Sequence, residues 1–225
     1  MNDSKSYIVT IDGPSGSGKG SLALAIAREL GFNILDSGAI YRLVALKALQ
    51  MGLDLHQQDA VVAVLDDFDI RFEVGEELSI PYLDGVDVSA DIRLETTGEA
   101  ASIVAAHAQL RSKLLTLQQS FFQPPGLVAD GRDMGGVVFP HARFKFYLYA
   151  SAEIRAQRRY KQLISMGISA NIADLQADIV ERDERDLNRK ASPLKPAEDA
   201  IVVDSSYLDL TQVIELVLGH IRDEQ

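Results

Sequence analysis

Residues 13–21 read Gly13-Pro14-Ser15-Gly16-Ser17-Gly18-Lys19-Gly20-Ser21, and the apolar run Tyr7-Ile8-Val9-Thr10-Ile11 stands just before them. The run has the length and β-branched content of a buried strand. Behind the glycines, Leu22, Ala25, Ile26 and Leu30 recur at helical spacing until Gly31 ends the pattern. A glycine-rich turn between strand and helix points successive backbone N–H groups at one spot, adds the positive end of the helix dipole, and here adds the mobile charge of Lys19. Such a turn holds the oxygens of a triphosphate. A turn that merely joins two elements is set aside, because strand, glycines, lysine and helix stand in the order the motif requires. One detail is unusual: Gly20 follows the lysine, and the hydroxyl comes one place later, at Ser21.

Outward from this loop, Asn33 to Asp36 reads as a second strand, and Ser37 as the cap of a helix running to Met51, where Gly52 stops it. A further helix is expected from about 56 to 67. Between Asp69 and Val88 the period changes to two, with turns at Gly75-Glu76-Glu77 and Asp84-Gly85, which predicts a small antiparallel sheet. Helices are expected over 91–106 and 107–121, up to Pro124-Pro125. Gly126 to Asp130 and Phe144 to Ala150 read as buried strands, with the loop Gly131-Arg132-Asp133-Met134-Gly135-Gly136 between them. Helices follow at 152–166 and 172–190, a strand at 200–203, and a last helix with Leu210, Val213, Ile214, Val217, Leu218 and Ile221 on one stripe. The alternation predicts an α/β fold: three layers, a parallel sheet flanked by helices, with ligands bound beyond the carboxyl ends of the strands.

The 225 residues suffice for one principal domain with an insertion. Apolar residues make up 47% and charged residues 24%, which excludes disordered and fibrous classes. No stretch is long and apolar enough to span a bilayer and the first residues lack a secretory pattern, so a cytoplasmic protein without membrane partners is expected. The chain has no cysteine, which removes disulfides, thiolate metal sites and thiol nucleophiles. A net charge of −11 disfavours a nucleic-acid partner, so any anionic ligand must be gripped by local clusters of basic residues.

Asp130 closes an apolar strand on the rim expected for the phosphate loop, and with Ser21 it could support magnesium through water. Asp133-Met134-Gly135-Gly136 also spells DxxG, but no NKxD follows and that reading is discounted. Ser37 and Arg42, near a helix N-terminus on the same rim, could meet a phosphate. The run Glu181-Arg182-Asp183-Glu184-Arg185-Asp186-Leu187-Asn188-Arg189 would ordinarily be a solvated helix laced with ion pairs. Arg182, Arg185 and Arg189 on one face exceed what self-pairing needs, and a transferring phosphoryl group wants such a clamp. Arg155, Arg158 and Arg159 form a second basic cluster, and the two helices together suggest a mobile lid. His56, His107, His141 and His220 lack metal-ligand spacing.

The GKG[ST] loop looks like that of nucleoside monophosphate kinases. The whole chain, from about Tyr7 to Ile221, resembles the bacterial cytidylate kinases. The resemblance rests on Ile11 to Ser21, on Leu35-Asp36-Ser37-Gly38-Ala39-Ile40-Tyr41-Arg42, on Ala129 to Gly135, and on Arg182 to Asp186 leading to Ser192-Pro193-Leu194 and Pro196 to Ala200. It implies a P-loop kinase with a core (about 1–36, 122–151 and 198–225), a monophosphate-binding region containing the small sheet (about 37–121) and a lid (about 152–190). It further implies transfer of the γ-phosphoryl group of Mg-ATP to CMP or dCMP by a monomer. Residues 13–21 (Gly13, Pro14, Ser15, Gly16, Ser17, Gly18, Lys19, Gly20, Ser21) with Arg158 would bind ATP. Ser37, Tyr41, Arg42, Ser102, Arg111, Arg132, Asp133, Arg182, Asp186 and Arg189 would bind CMP, and Lys19, Arg132, Arg182 and Arg189 would serve catalysis. For Ser102 and Arg111 the resemblance is the only warrant. Two rivals stay open on the residues alone: another small-molecule P-loop kinase, for instance one acting on shikimate, and a nucleotide-gated binding protein with slow hydrolysis.

Overall fold

The computed structural model describes residues 7–74, 79–165 and 167–224, so the turn expected at Gly75-Glu76-Glu77 lies outside the described residues. The chain divides into two compact units: Met1–Leu35 with Phe121–Asn188 and Ser192–Gln225, and Asp36–Ser120 with Arg189–Ala191.

The first unit contains the expected α/β layering. Strands β1 (Tyr7–Asp12), β2 (Asn33–Asp36), β6 (Gly126–Gly131), β7 (Phe144–Tyr149) and β8 (Ile201–Asp204) form a parallel sheet in the order β2-β6-β1-β7-β8. β1 is therefore central, in parallel register with β6 on one side and β7 on the other. This is where the strand order reverses, and the phosphate loop leaves from its carboxyl end. Helices α1 (Lys19–Leu30) and α8 (Leu210–Asp223) cover one face. Val9 and Ile11 of β1, Leu22 and Ile26 of α1, Phe146 and Leu148 of β7, and Val217 and Ile221 of α8 form one buried cluster. Alternate β1 residues and one α1 face supply it, as the two periodicities dictate. α6 (Ala152–Ser165) and α7 (Ile172–Asn188) pack together in this unit.

The second unit holds α2 (Ser37–Gln50), α3 (Gln58–Ala63), the antiparallel strands β3 (Ile70–Val74), β4 (Ser79–Leu83) and β5 (Val86–Asp87), and helices α4 (Glu95–Val104) and α5 (Ala108–Ser120). Asp84 and Gly85 take φ of 51° and 80°, the left-handed pair that a two-residue hairpin loop requires. Ala39, Leu43 and Leu46 of α2 pack with Leu83, Val88 and Ile92. Lys47, buried on α2, pairs with Asp84 at 3.0 Å and so ties the hairpin to the helix.

Three local expectations change. Ser37 is not the cap of α2: Asp36 is, accepting from the Ala39 N–H at 2.9 Å with extended backbone, while Ser37 is already helical. The helix expected over 91–106 is broken, because Leu94 is extended (ψ 144°) between a 3-10 turn at Asp91–Arg93 and α4. The loop after β6 winds into a π-helical turn over Met134–Val138.

Candidate active site

In the first unit the chain turns from β1 into the phosphate loop at Gly13, with no room for a side chain. A Cβ there would stand 2.1 Å from the Leu148 carbonyl oxygen of β7. Gly16 and Gly18 take φ of 74° and 96°, which lets neighbouring N–H groups converge into an anion-binding nest before α1. Lys19 is buried within this loop, donating from Nζ to the Pro14 carbonyl at 2.8 Å, while the Ser17 hydroxyl donates to the same carbonyl at 3.1 Å. Burial, reinforced by the charges of Arg132 and Arg182, pulls the lysine down to about 7, against the opposing pull of Asp130 and Asp12. Arg132 and Arg182 thus repel the charge of Lys19, and a polyanion is the ligand that offsets that repulsion.

The loop after β6 is fastened beside this cluster. The Asp12 carboxylate, buried at the end of β1, accepts from the Met134 N–H and the Gly135 N–H, each at 2.8 Å. Burial pushes its carboxyl up to about 6, and those two hydrogen bonds hold it lower than burial alone would. Arg132 donates from Nε to Asp186 of α7 at 3.0 Å and from Nη1 to its neighbour's carbonyl, that of Gly131. Burial lowers this guanidinium, but Asp186 foremost, then Asp130 and Asp183, more than offset it, and the net direction is up. Asp133 is buried at the start of the π-helical turn.

The charge run on α7 is only partly the self-paired surface expected of such sequences. Arg185 pairs with Glu181 four residues back at 2.8 Å, on the exposed side. Asp183 instead pairs with Arg155 of α6, and Asp186 with Arg132. Arg155 is 2% exposed and also donates to the Ser15 carbonyl of the phosphate loop at 2.9 Å and to the Ala150 carbonyl at 2.8 Å. It therefore joins α7 to the phosphate loop. Arg158 donates to the Ser205 carbonyl at 2.5 Å and to the Ser17 carbonyl at 3.4 Å. It borders a cavity of about 210 Å³ whose lining includes Ser17, Gly18, Ser21, Leu148, Ser205 and Leu208.

The second unit carries another part of the expected set, of which Tyr41 and Arg111 are in contact. The Ser37 hydroxyl accepts from Gln118 Nε2 of α5 at 2.7 Å. Arg42 donates to the Ile92 carbonyl. The Arg111 guanidinium lies 5.4 Å from the Tyr41 ring centroid, within cation–π range, and donates to the Ala105 carbonyl at 3.2 Å. Ser102 of α4 is 4% exposed, and its Oγ finds no hydrogen-bond partner among the described residues. A buried hydroxyl left so costs about 1–3 kcal/mol unless a ligand satisfies it. Arg189, also buried, belongs to this unit rather than to α7.

Asp12, Gln118 and Ser205 are additions to the expected site, and Arg155, expected only as part of a basic cluster on a lid helix, joins them. Asp12 had a usable signal, an acid closing an apolar strand; Gln118 had none. His107, one of the histidines without metal-ligand spacing, makes a 2.8 Å contact from Nε2 to the Leu55 carbonyl.

Among the described residues, no group of three or more His, Asp or Glu side chains forms a metal cage. Magnesium carried by a nucleotide needs less: phosphate oxygens, waters and one or two protein oxygens. The residues present fit that demand. Asp130, the penultimate residue of β6, has its carboxylate facing the start of α1, where a Cβ on Gly20, the neighbour of Ser21, would stand 3.5 Å from Oδ2.

The family model described as cytidylate kinase matches residues 9–223. The cytidylate kinase of Paraburkholderia xenovorans is 53% identical, covering 94% of this chain and 91% of its own. That of Vibrio parahaemolyticus is 50% identical over 98% of each chain, and that of Burkholderia vietnamiensis 52% identical over 96% of this chain and 92% of its own. Among solved structures, shikimate kinase from Acinetobacter baumannii in complex with shikimate aligns over 98% of this chain and 95% of its own, at 13% identity and a TM-score of 0.48. With a family model spanning nearly its whole length and relatives at half identity, this chain belongs to the cytidylate kinase family.

Proposed function

We propose that the protein transfers the γ-phosphoryl group of ATP to CMP or dCMP, giving ADP and the pyrimidine nucleoside diphosphate. The observation that carries this reading is Lys19, buried in the phosphate loop with the half-buried Arg132 and Arg182 acting on its charge, in a cytidylate-kinase-family chain. Phosphoryl transfer of this kind passes through a loose transition state, so it is served by positioning and charge neutralisation and needs no covalent intermediate.

On this reading, residues 13–21 and Lys19 hold the β- and γ-phosphates, and the donor base lies at the cavity bordered by Arg158 and Ser205. Arg132, Arg182 and Arg189 meet the developing charge on the transferring group. Ser37 and Arg42 receive the acceptor phosphate, and the Ser102 hydroxyl, Arg111, Tyr41, Asp133 and Asp186 recognise nucleoside groups. A ligand phosphate that takes Arg132 replaces one charged partner of the guanidinium, Asp186, with another. Ser21 and Asp130 would hold magnesium through water, and the ion would supply charge neutralisation of the triphosphate. α6 and α7 act as a lid that excludes water, so that the hydroxyl of water does not compete with the acceptor. The enzyme is read as a cytoplasmic monomer whose partners are ATP and the pyrimidine monophosphate, with neither nucleic acid nor membrane among them. No described helix is long and apolar enough to cross a membrane.

A coupled ADP-release assay across CMP, dCMP, UMP, AMP, GMP and shikimate tests the reading. CMP and dCMP should give the highest kcat/KM. A higher value for a purine monophosphate or for shikimate overturns it.

A further inference from the structure

We propose that Asp12 is a positioning residue for acceptor binding, holding the Arg132–Asp133 loop in register with the phosphate loop. The inference rests on the acceptor reading given above. Asp12 is the last residue of β1, opposite Gly131 of β6 and Tyr147 of β7, and is 3% exposed. Its two carboxylate oxygens divide the work: Oδ1 takes the Met134 N–H and Oδ2 the Gly135 N–H, at 2.8 Å each. These N–H groups open the π-helical turn Met134–Val138, and the first N–H groups of a helical segment have no acceptor within it. A side chain more than a hundred residues away in sequence supplies both acceptors.

The main chain of Asp12 is equally constrained. Gly13, its successor, leaves no room for a Cβ against the Leu148 carbonyl, so the end of β1 lies close against β7, to which it is paired in parallel register. On the loop side, a Cβ on Gly135 would stand 2.8 Å from Thr10 Oγ1 and 3.2 Å from Lys145 Cδ, so the turn is packed down on β1. Asp133 and Lys19 are the charged groups that act on the carboxylate, one of each sign. One residue therefore joins two loops, its backbone continuing into the donor site and its carboxylate fixing the segment that follows Arg132 and Asp133.

The two halves of this link separate experimentally. The phosphate loop is also braced by Lys19 on Pro14 and by Arg155 on Ser15, contacts that do not involve Asp12. Asp12→Asn keeps one acceptor oxygen but turns an amide N–H₂ toward the other backbone N–H, releasing one end of the turn. Steady-state kinetics of Asp12→Asn should show KM for CMP raised about tenfold, with KM for ATP within about twofold of wild type. Unchanged KM for CMP, or a parallel rise in both constants, overturns the proposal, since a merely structural role would move both together. A second measurement holds even if the variant fails to fold or CMP proves not to be the acceptor. In the wild-type protein, hydrogen exchange at the Met134 and Gly135 amides should be as slow as at Val128 and Ala129 of the interior strand β6. Rapid exchange at those two amides shows that no clamp exists and overturns the proposal independently of any substrate.

Discussion

Loading the phosphate loop with a triphosphate should draw a proton from solution onto Lys19. The lysine is held at about 7 by burial and by Arg132 and Arg182, against an ordinary value of 10.5. Several negative phosphate charges beside it reverse the balance and return it to its ordinary range. From a value of about 7, the neutral fraction that can take up a proton is about 0.1 at pH 6, 0.5 at pH 7 and 0.9 at pH 8. At pH 8 the terminal phosphate of free ATP is already ionised, so uptake there belongs to the protein. Titration calorimetry of ATP binding in buffers of different ionisation enthalpy, with a chelator present, reads the proton number directly. Lys19→Met should bind ATP more weakly and take up none. The same shift fixes a sign for stability. A lysine with a depressed folded value favours the folded state above about 10.5, and the advantage is lost as pH falls through about 7. Wild type should therefore gain stability relative to Lys19→Met as pH rises from 7 to 10. Uptake below about 0.3 proton at pH 8, or equal uptake by Lys19→Met, refutes the reasoning.

Gly13→Ala should cost about 2–5 kcal/mol in urea denaturation, because its Cβ meets the Leu148 carbonyl at 2.1 Å and φ is +148°; a loss under 1 kcal/mol would contradict that contact. Ser102→Ala should leave thermal stability unchanged or slightly raised, since its Oγ has no partner to lose, yet raise KM for CMP about tenfold; an unchanged KM removes Ser102 from the acceptor site. Asp183→Asn strands the buried Arg155 charge and should destabilise by about 3 kcal/mol, whereas Glu181→Gln, which breaks an exposed pair with Arg185, should cost about 0.5 kcal/mol or less; equal losses in chemical denaturation would put the two pairs in the same environment.

What the chain declares of its fold is whatever is written locally. β1, the phosphate loop and α1 follow one another within 24 residues, and each step has its own signature: an apolar run, glycines with a lysine, a 3.6-residue stripe. The Asp84-Gly85 turn is legible for the same reason. At the start of α2, Asp36 and Ser37 are both good caps, and propensity cannot choose between neighbours; the extended backbone at Asp36 decides. The site is less legible because its bonds are long-range. Asp12 reads as a strand-ending acid until its partners, Met134 and Gly135, are seen, and Asp183 reads as one more charge in a solvated run until Arg155 is found beneath it. Ser102 and Arg111 sit at ordinary helical positions. Only a buried hydroxyl without a partner distinguishes Ser102, and burial is not a property of a local window.

The account stands most directly on the fate of the γ-phosphoryl group. With purified protein, Mg-ATP and CMP, product analysis by phosphorus NMR should show ADP and CDP accumulating together in equal amounts, with little inorganic phosphate and little ADP when CMP is left out. ADP accompanied by inorganic phosphate, formed at the same slow rate with or without CMP, would contradict it and describe a nucleotide-gated protein instead.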